Sequence, residues 1–183
     1  MTETTTPPVE PTTATEFQTG RLVTVAGGHA VHDTFTAFLA PLLPRFVEKL
    51  ALSNTAAGLL STFLQIPGLL QPVIGHLADR TTLRWLVVLG PGVTATAMSF
   101  LGWAPTYAVL ALLLLLAGIS VAAFHAPAPV AVCYLSGSRL GRGMGCFMVG
   151  GERGRTIGPI VVVSALAVLS RSAMALLALG GIG

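Results

Sequence analysis

Glu152, Arg153 and Arg155 are three charges set in the stretch Gly150-Gly151-Glu152-Arg153-Gly154-Arg155-Thr156-Ile157-Gly158-Pro159, between apolar runs at 144–149 and 160–169. A charge at mid-membrane costs about 3 kcal/mol or more, so such side chains usually face a partner or a water-filled cavity. Glu152 and Arg155, at i and i+3, are spaced to pair, while Arg153 falls off their face and needs another partner. Gly150, Gly154 and Gly158 recur every four residues, a small-xxx-small face that lets another helix come close. At about 100° per residue, Glu152 points away from that face, with Arg155 and Thr156 on either side of it. One face for packing and one for polar work suits a helix lining a solute path. A purely structural ion pair is the competing reading.

A second polar set lies near the start of the chain. His29, His32, Asp33 and Thr36 occupy i, i+3, i+4 and i+7, one helical stripe in an otherwise apolar segment. An unpaired carboxylate at the depth of Asp33 is expected to hold a proton near neutral pH. The stripe therefore reads either as proton or substrate handling at a cavity wall, or as a hydrogen-bonding stripe against another helix. Ser61, Gln65 and Gln71 are further polar residues at depth; Gln65 is a cavity candidate, although such glutamines more often join helices. His125 precedes the prolines 127 and 129, whose missing N–H groups free carbonyls. It either contacts substrate and protons or satisfies one of those carbonyls.

The elements that must position these residues are membrane spans. Apolar segments run at about 22–46, 55–77, 85–103, 107–135 and 143–169, with a further one from 172 to 183. Crossing a hydrocarbon core takes about 20 residues, so the last is expected to be cut short. Arg45, Glu48 and Lys49 mark an expected polar connection after the first segment. Residues 1–20, rich in Thr and Pro, read as a disordered cytoplasmic tail and not as a cleaved signal peptide. Residues 21–183 read as a transmembrane bundle, an all-α fold. A cytoplasmic N-terminus places Arg21, Arg80, Arg84, Arg139 and Arg142 inside, against Arg45, Lys49 and Arg171 outside.

Composition sets the class. Of 183 residues 53% are hydrophobic and only 9% charged, with mean hydropathy +0.80, whereas soluble domains carry about 25% charged residues. The net charge of +3 does not indicate nucleic acid, because the arginines are scattered between apolar runs and form no basic face. Cys133 and Cys146 lack metal-ligand spacing and are expected to be free, buried thiols. There is no His-Glu-x-x-His, no nucleophile elbow and no phosphate-cradling loop, so neither enzyme chemistry, a cofactor nor a metal is expected.

The turn Gly75-His76-Leu77-Ala78-Asp79-Arg80-Thr81-Thr82-Leu83-Arg84 resembles the signature loop of the major facilitator superfamily, Gly-x-x-x-Asp-Arg/Lys-x-Gly-x-Arg/Lys. Gly75, Asp79, Arg80 and Arg84 match, and Thr82 stands at the second glycine. His29 with Asp33, 70–75 (Leu-Gln-Pro-Val-Ile-Gly), Phe124-His125, Gly150-Gly151 and Gly158-Pro159 look like the fosmidomycin-resistance branch of that superfamily. Where that branch often continues His-Pro-Glu, this chain has Ala126-Pro127 after His125, leaving Glu152 as the carboxylate available to substitute.

The resemblance, from about Gly27 to Val163, implies two six-helix bundles around a central cavity, alternating access and proton-coupled export of small molecules. It makes this chain the N-terminal bundle, truncated in its sixth helix, with a cytoplasmic gating loop at Gly75, Asp79, Arg80 and Arg84. Asp33 is then the first proton-coupling candidate, with His29 and His32 tuning it. His125, Glu152, Arg155 and Gln65 are the cavity candidates, and Gly150, Gly154, Gly158 and Pro159 the packing set. Expected partners are the lipid bilayer, a small-molecule substrate and protons, and a missing C-terminal bundle or a second copy. The glycine face is expected to meet that missing half. A reading from another class is a non-transporting membrane interaction protein that packs on a partner through the same face.

Overall fold

The computed structural model describes residues 16–80 and 84–168, apart from the side chains of Ala78, Asp79 and Val168. Residues 1–15 of the tail expected over 1–20, Thr82 of the loop and the segment from 172 onward lie outside the described residues, while Thr19 and Gly20 are already helical, against the expected disorder. Within them the chain is helical: α1 (Thr19–Thr36), α2 (Leu39–Leu50), α3 (Asn54–Gln65), α4 (Gln71–Arg80), α5 (Arg84–Ser99), α6 (Tyr107–His125), α7 (Pro127–Ser136) and α8 (Leu140–Val168). Short 3₁₀ turns at Ile66–Leu70, Phe100–Trp103 and Gly137–Arg139 join or end them.

Prolines explain two of the breaks. A proline removes a helical N–H and clashes with the carbonyl four residues back. Pro67 sits in the 3₁₀ turn that interrupts the second rod, 54–80, and Pro127 opens α7 after the break at Ala126. The eight helices thus group into five rods: 19–50, 54–80, 84–103, 107–136 and 140–168. Stretches Asn54–Leu77, Arg84–Trp103 and Tyr107–Ala167 are long and apolar enough to cross a membrane. The last, at 61 residues, is about 90 Å of helix if straight, too long for one crossing of a core about 30 Å thick. It is divided at Gly137, whose φ of 51° ends α7 before α8.

Two expectations are corrected here. Arg45, Glu48 and Lys49 do not form a loop; they are the last turns of α2, and the chain turns only at Ala51, in the left-handed region at φ 49°. Lys49 finds its use as a donor, 2.7 Å from the Ala104 carbonyl at the turn before α6. Cys133 is exposed and Cys146 half-buried; both are free, but neither is a core thiol.

The main apolar core gathers Phe35, Phe38, Leu42, Phe46, Leu60, Met98, Leu110, Leu114 and Val162. A second, smaller cluster holds Leu22, Phe124, Ala128, Val132 and Phe147. Large apolar side chains also point outward, among them Leu69, Val73 and Leu112, as on a surface that meets lipid or another helix bundle.

The glycine face of α8 is filled by this chain, which overturns the expectation that its partner lies elsewhere. A methyl group built on Gly150, Gly154 or Gly158 would overlap the carbonyl oxygen of Ala26, Ala30 or Thr34 respectively. Both sets step by four residues in the same direction, so α1 and α8 run parallel with backbones in contact. The sequence pattern marks a small face but does not say which helix occupies it.

Gly154→Ala is expected to cost about 1–3 kcal/mol, because its new methyl meets rigid backbone. Gly145→Ala, with open space around it, should be neutral or slightly stabilising. Thermal unfolding in detergent micelles checks this; equal shifts for the two variants would refute the close-contact assignment.

Candidate functional site

The register of α1 on α8 brings the polar stripe of one helix against the charged stretch of the other. Asp33, 2% exposed, sits at the centre. Its Oδ2 accepts from Arg155 Nε at 3.0 Å, and Arg155 Nη1 also reaches Glu152 Oε1 at 3.3 Å. Asp33 is therefore paired with an arginine of another helix. Glu152 and Arg155 do pair as their spacing suggested, but Arg155 serves the buried acid as well.

Two imidazoles complete the surroundings. His29, 2% exposed, lies four residues before Asp33, and its Nε2 is 3.4 Å from Oδ2. Its Nδ1 is 2.9 Å from the Phe147 carbonyl, and its ring stacks on the Phe147 ring at 4.0 Å. His125 reaches Asp33 from the end of α6, with Nε2 3.6 Å from Oδ1 and Nδ1 3.1 Å from its own-helix Val121 carbonyl. The Val121 carbonyl is not one of those freed by Pro127 or Pro129, which are at residues 123 and 125, so His125 is anchored on its own helix and faces the acid. His32, fully buried, stacks on Phe124 at 4.6 Å and lies 5.1 Å from the His125 ring, with no hydrogen bond to either ring nitrogen.

The cluster is graded from inside to outside. Asp33 and His29 are closed off, the His125 side chain is 25% exposed, and those of Arg155 and Glu152 are 52% and 62% exposed. A buried carboxylate thus connects to the surface through a guanidinium that a second, open carboxylate shares. Such a set can hold a proton or another cation against an internal counterion and exchange it with water. Pro159, four residues after Arg155, provides no N–H to the Arg155 carbonyl.

Other expected residues are not brought in. Gln65 is exposed on α3, where its Nε2 donates to the Ser61 carbonyl at 3.2 Å. Thr36 turns its hydroxyl to the Asp33 carbonyl at 3.0 Å, as a flexible hydroxyl near the end of a helix readily does. Arg153 is exposed and has no ion pair among the described residues; it lines a shallow groove of about 350 Å³ with Met148, Val149, Glu152, Thr156 and Ile157. In the loop region, Gly75 has open space around it, Arg80 ends α4 exposed, and Arg84 lays its guanidinium 5.3 Å over Trp85. The Asp79 side chain is outside the described set.

Two participants were missed in the sequence, Phe147 and Gly151. A methyl at Gly151 would lie 2.6 Å from His29 Nε2 and 2.9 Å from Asp33 Oδ2, so the cluster needs a glycine there. The available signal was the Gly150-Gly151 doublet, which interrupts the four-residue rhythm.

The family model described as Major Facilitator Superfamily matches residues 25–183. This chain belongs to the Major Facilitator Superfamily. It is similar to the fosmidomycin resistance protein of Escherichia coli (strain K12), 26% identical over 157 residues, covering 85% of this chain and 39% of that protein. It is also similar to the uncharacterized MFS-type transporter YfnC of Bacillus subtilis (strain 168), 25% identical over 154 residues, covering 82% of this chain and 37% of that protein. The chain thus spans about two fifths of the length of these curated relatives. No solved structure matches. Family and apolar helices together make this a multi-pass membrane protein.

A double-mutant cycle tests the site's electrostatics. Asp33→Asn with Arg155→Gln should show a coupling of about 1–2 kcal/mol, reduced from a fully buried pair by the exposure of Arg155. Glu152→Gln with Arg155→Gln should couple by less than about 0.5 kcal/mol. Unfolding in mixed micelles measures both, and a larger Glu152 coupling would contradict the assigned geometry.

Proposed function

We propose that this chain supplies the first helix bundle of a secondary transporter that exports a small molecule in exchange for protons by alternating access. The observation that carries this reading is Asp33, a buried carboxylate whose guanidinium partner is half-exposed on another helix and shared with Glu152. A proton on Asp33 cancels the charge that holds Arg155 inward and leaves Glu152 as its remaining carboxylate. Occupancy of the acid and position of the arginine are then linked, and coupling requires such a link between two states. His29 and His32 tune Asp33, while His125, Arg155 and Glu152 line the substrate cavity. Gln65, outside this group, receives no role.

In this reading the N-terminus is cytoplasmic and the protein lies in the cell membrane. Gly75, Asp79, Arg80 and Arg84 form the cytoplasmic gating loop. A sixth helix and a second bundle complete the transport path. One relative's name refers to fosmidomycin resistance; for this chain the substrate class is drug or metabolite, with no closer assignment. The competing interaction-protein reading relied on a free Gly150/Gly154/Gly158 face, and α1 already fills that face.

In a version carrying both bundles, Asp33→Asn should abolish proton-driven uptake into inverted vesicles; unchanged transport would remove Asp33 from the mechanism. The 183-residue chain alone, purified into liposomes, should carry no proton-coupled flux. Flux from it would point to a homodimeric path.

A further inference from the structure

The two imidazoles beside Asp33 have defined tautomers. The carbonyl oxygens of Phe147 and Val121 can only accept, so each ring carries its hydrogen on Nδ1. In the neutral rings both Nε2 atoms therefore present lone pairs, and both are directed at the same carboxylate, 3.4 and 3.6 Å from its oxygens. His29 Nε2 is completely buried and has no hydrogen-bond partner. Lone pairs facing a carboxylate repel one another unless a cation sits among them.

We propose that His29 Nε2, His125 Nε2 and Asp33 form a binding site for a late first-row divalent cation of the zinc, cobalt or nickel class. One donor atom from each residue lies within 4.8 Å of the others. His29 Nε2 lies 3.4 Å from Oδ2 and His125 Nε2 lies 3.6 Å from Oδ1, each close to the edge of about 3.4 Å expected for tetrahedral bonds of about 2.0–2.1 Å. Bringing one carboxylate oxygen to both nitrogens requires a rotation of the Asp33 carboxylate and a turn of His125, a quarter exposed, towards His29. Nδ1–H bonded to a backbone carbonyl is the usual outer-shell arrangement of a metal-ligating histidine, and both rings have it. Two imidazoles with one carboxylate favour zinc, cobalt or nickel over magnesium or calcium, which prefer an all-oxygen set. The exposed side of His125 leaves a coordination position open to water or to a ligand group.

Arg155 is the opposing charge. It stabilises Asp33 through Oδ2 and disfavours a dication, while Glu152 at 3.3 Å offers the guanidinium another carboxylate. His32 stays outside the donor group, and His76, exposed on α4, belongs to no such group among the described residues. Because the site is defined by binding alone, it does not rest on the transport reading. A proton and a metal ion would compete for the same atoms.

The test uses the detergent-solubilised chain with any polyhistidine tag removed, titrated with Co²⁺ and followed by its visible absorption, and with Zn²⁺ followed by calorimetry. The expected result is about one ion per chain, with affinity at least roughly tenfold weaker in His125→Ala and in Asp33→Asn. His76→Ala and Arg153→Gln should bind as the unaltered protein does. His125→Ala is the primary variant because its ring is partly exposed, and circular dichroism verifies its helix content; Asp33→Asn, nearly isosteric, provides the independent second variant. No cobalt spectrum in the unaltered protein, or equal affinity in both variants, would overturn the proposal. Failure here leaves proton-coupled transport standing, and loss of transport in vesicles leaves metal binding standing.

Discussion

The structure depends on one backbone-to-backbone contact. Three glycines of α8 lie directly on three carbonyl oxygens of α1, with no side chain between them. Without a hydrophobic drive between helices in lipid, such close approach and its dispersion attraction hold the pair. The contact also fixes register. Slipping α8 by one turn, about 5.4 Å, would take Arg155 away from Asp33 and the Phe147 carbonyl away from His29 together. The chemistry of the cluster is thus set by residues that have no functional groups.

Charge is managed by gradation. Asp33 lies where an unpaired carboxylate is costly, and it is balanced by an arginine that keeps half of its side chain in the open. The imidazoles are held by backbone carbonyls and rings on α6 and α8, so their orientation does not depend on the acid they face. Glu152 adds a second acceptor farther out. The set is preorganised at its base and adjustable at its mouth, which suits exchange of a small cation better than permanent retention.

Much of the helix pattern was legible because apolar runs and prolines act locally. Pro67 and Pro127 sit where the rods break, and the turn at 104–106 separates α5 from α6 as the sequence indicated. The end of α2 was not legible: Arg45, Glu48 and Lys49 look like a loop by polarity, but Lys49 can donate to Ala104 only if the helix continues. The site divides in the same way. Local spacing revealed the His29–Asp33 stripe and the Glu152–Arg155 pair. It did not reveal that Asp33 and Arg155 meet across 122 positions, nor that Gly151 must be small for His29 to fit. Those facts belong to register, which no window on one helix contains. Gln65 shows the converse, a polar residue at membrane depth whose hydrogen bond stays within its own turn.

The parallel pairing of α1 and α8 also carries a parity. Two rods that point the same way must be joined by an even number of reversals, and five rods leave four junctions between them. The start of α1 therefore lies on the same side as the start of α8, as the Gln18 amide bonded to the Leu135 carbonyl and the Arg142 guanidinium 5.1 Å over Phe17 also show. Arg21, Arg139 and Arg142 consequently share one end of the bundle, and Lys49 with the Ala104 turn occupies the other. The sidedness of the whole bundle reduces to a single binary variable, and locating any one of these residues fixes all the others.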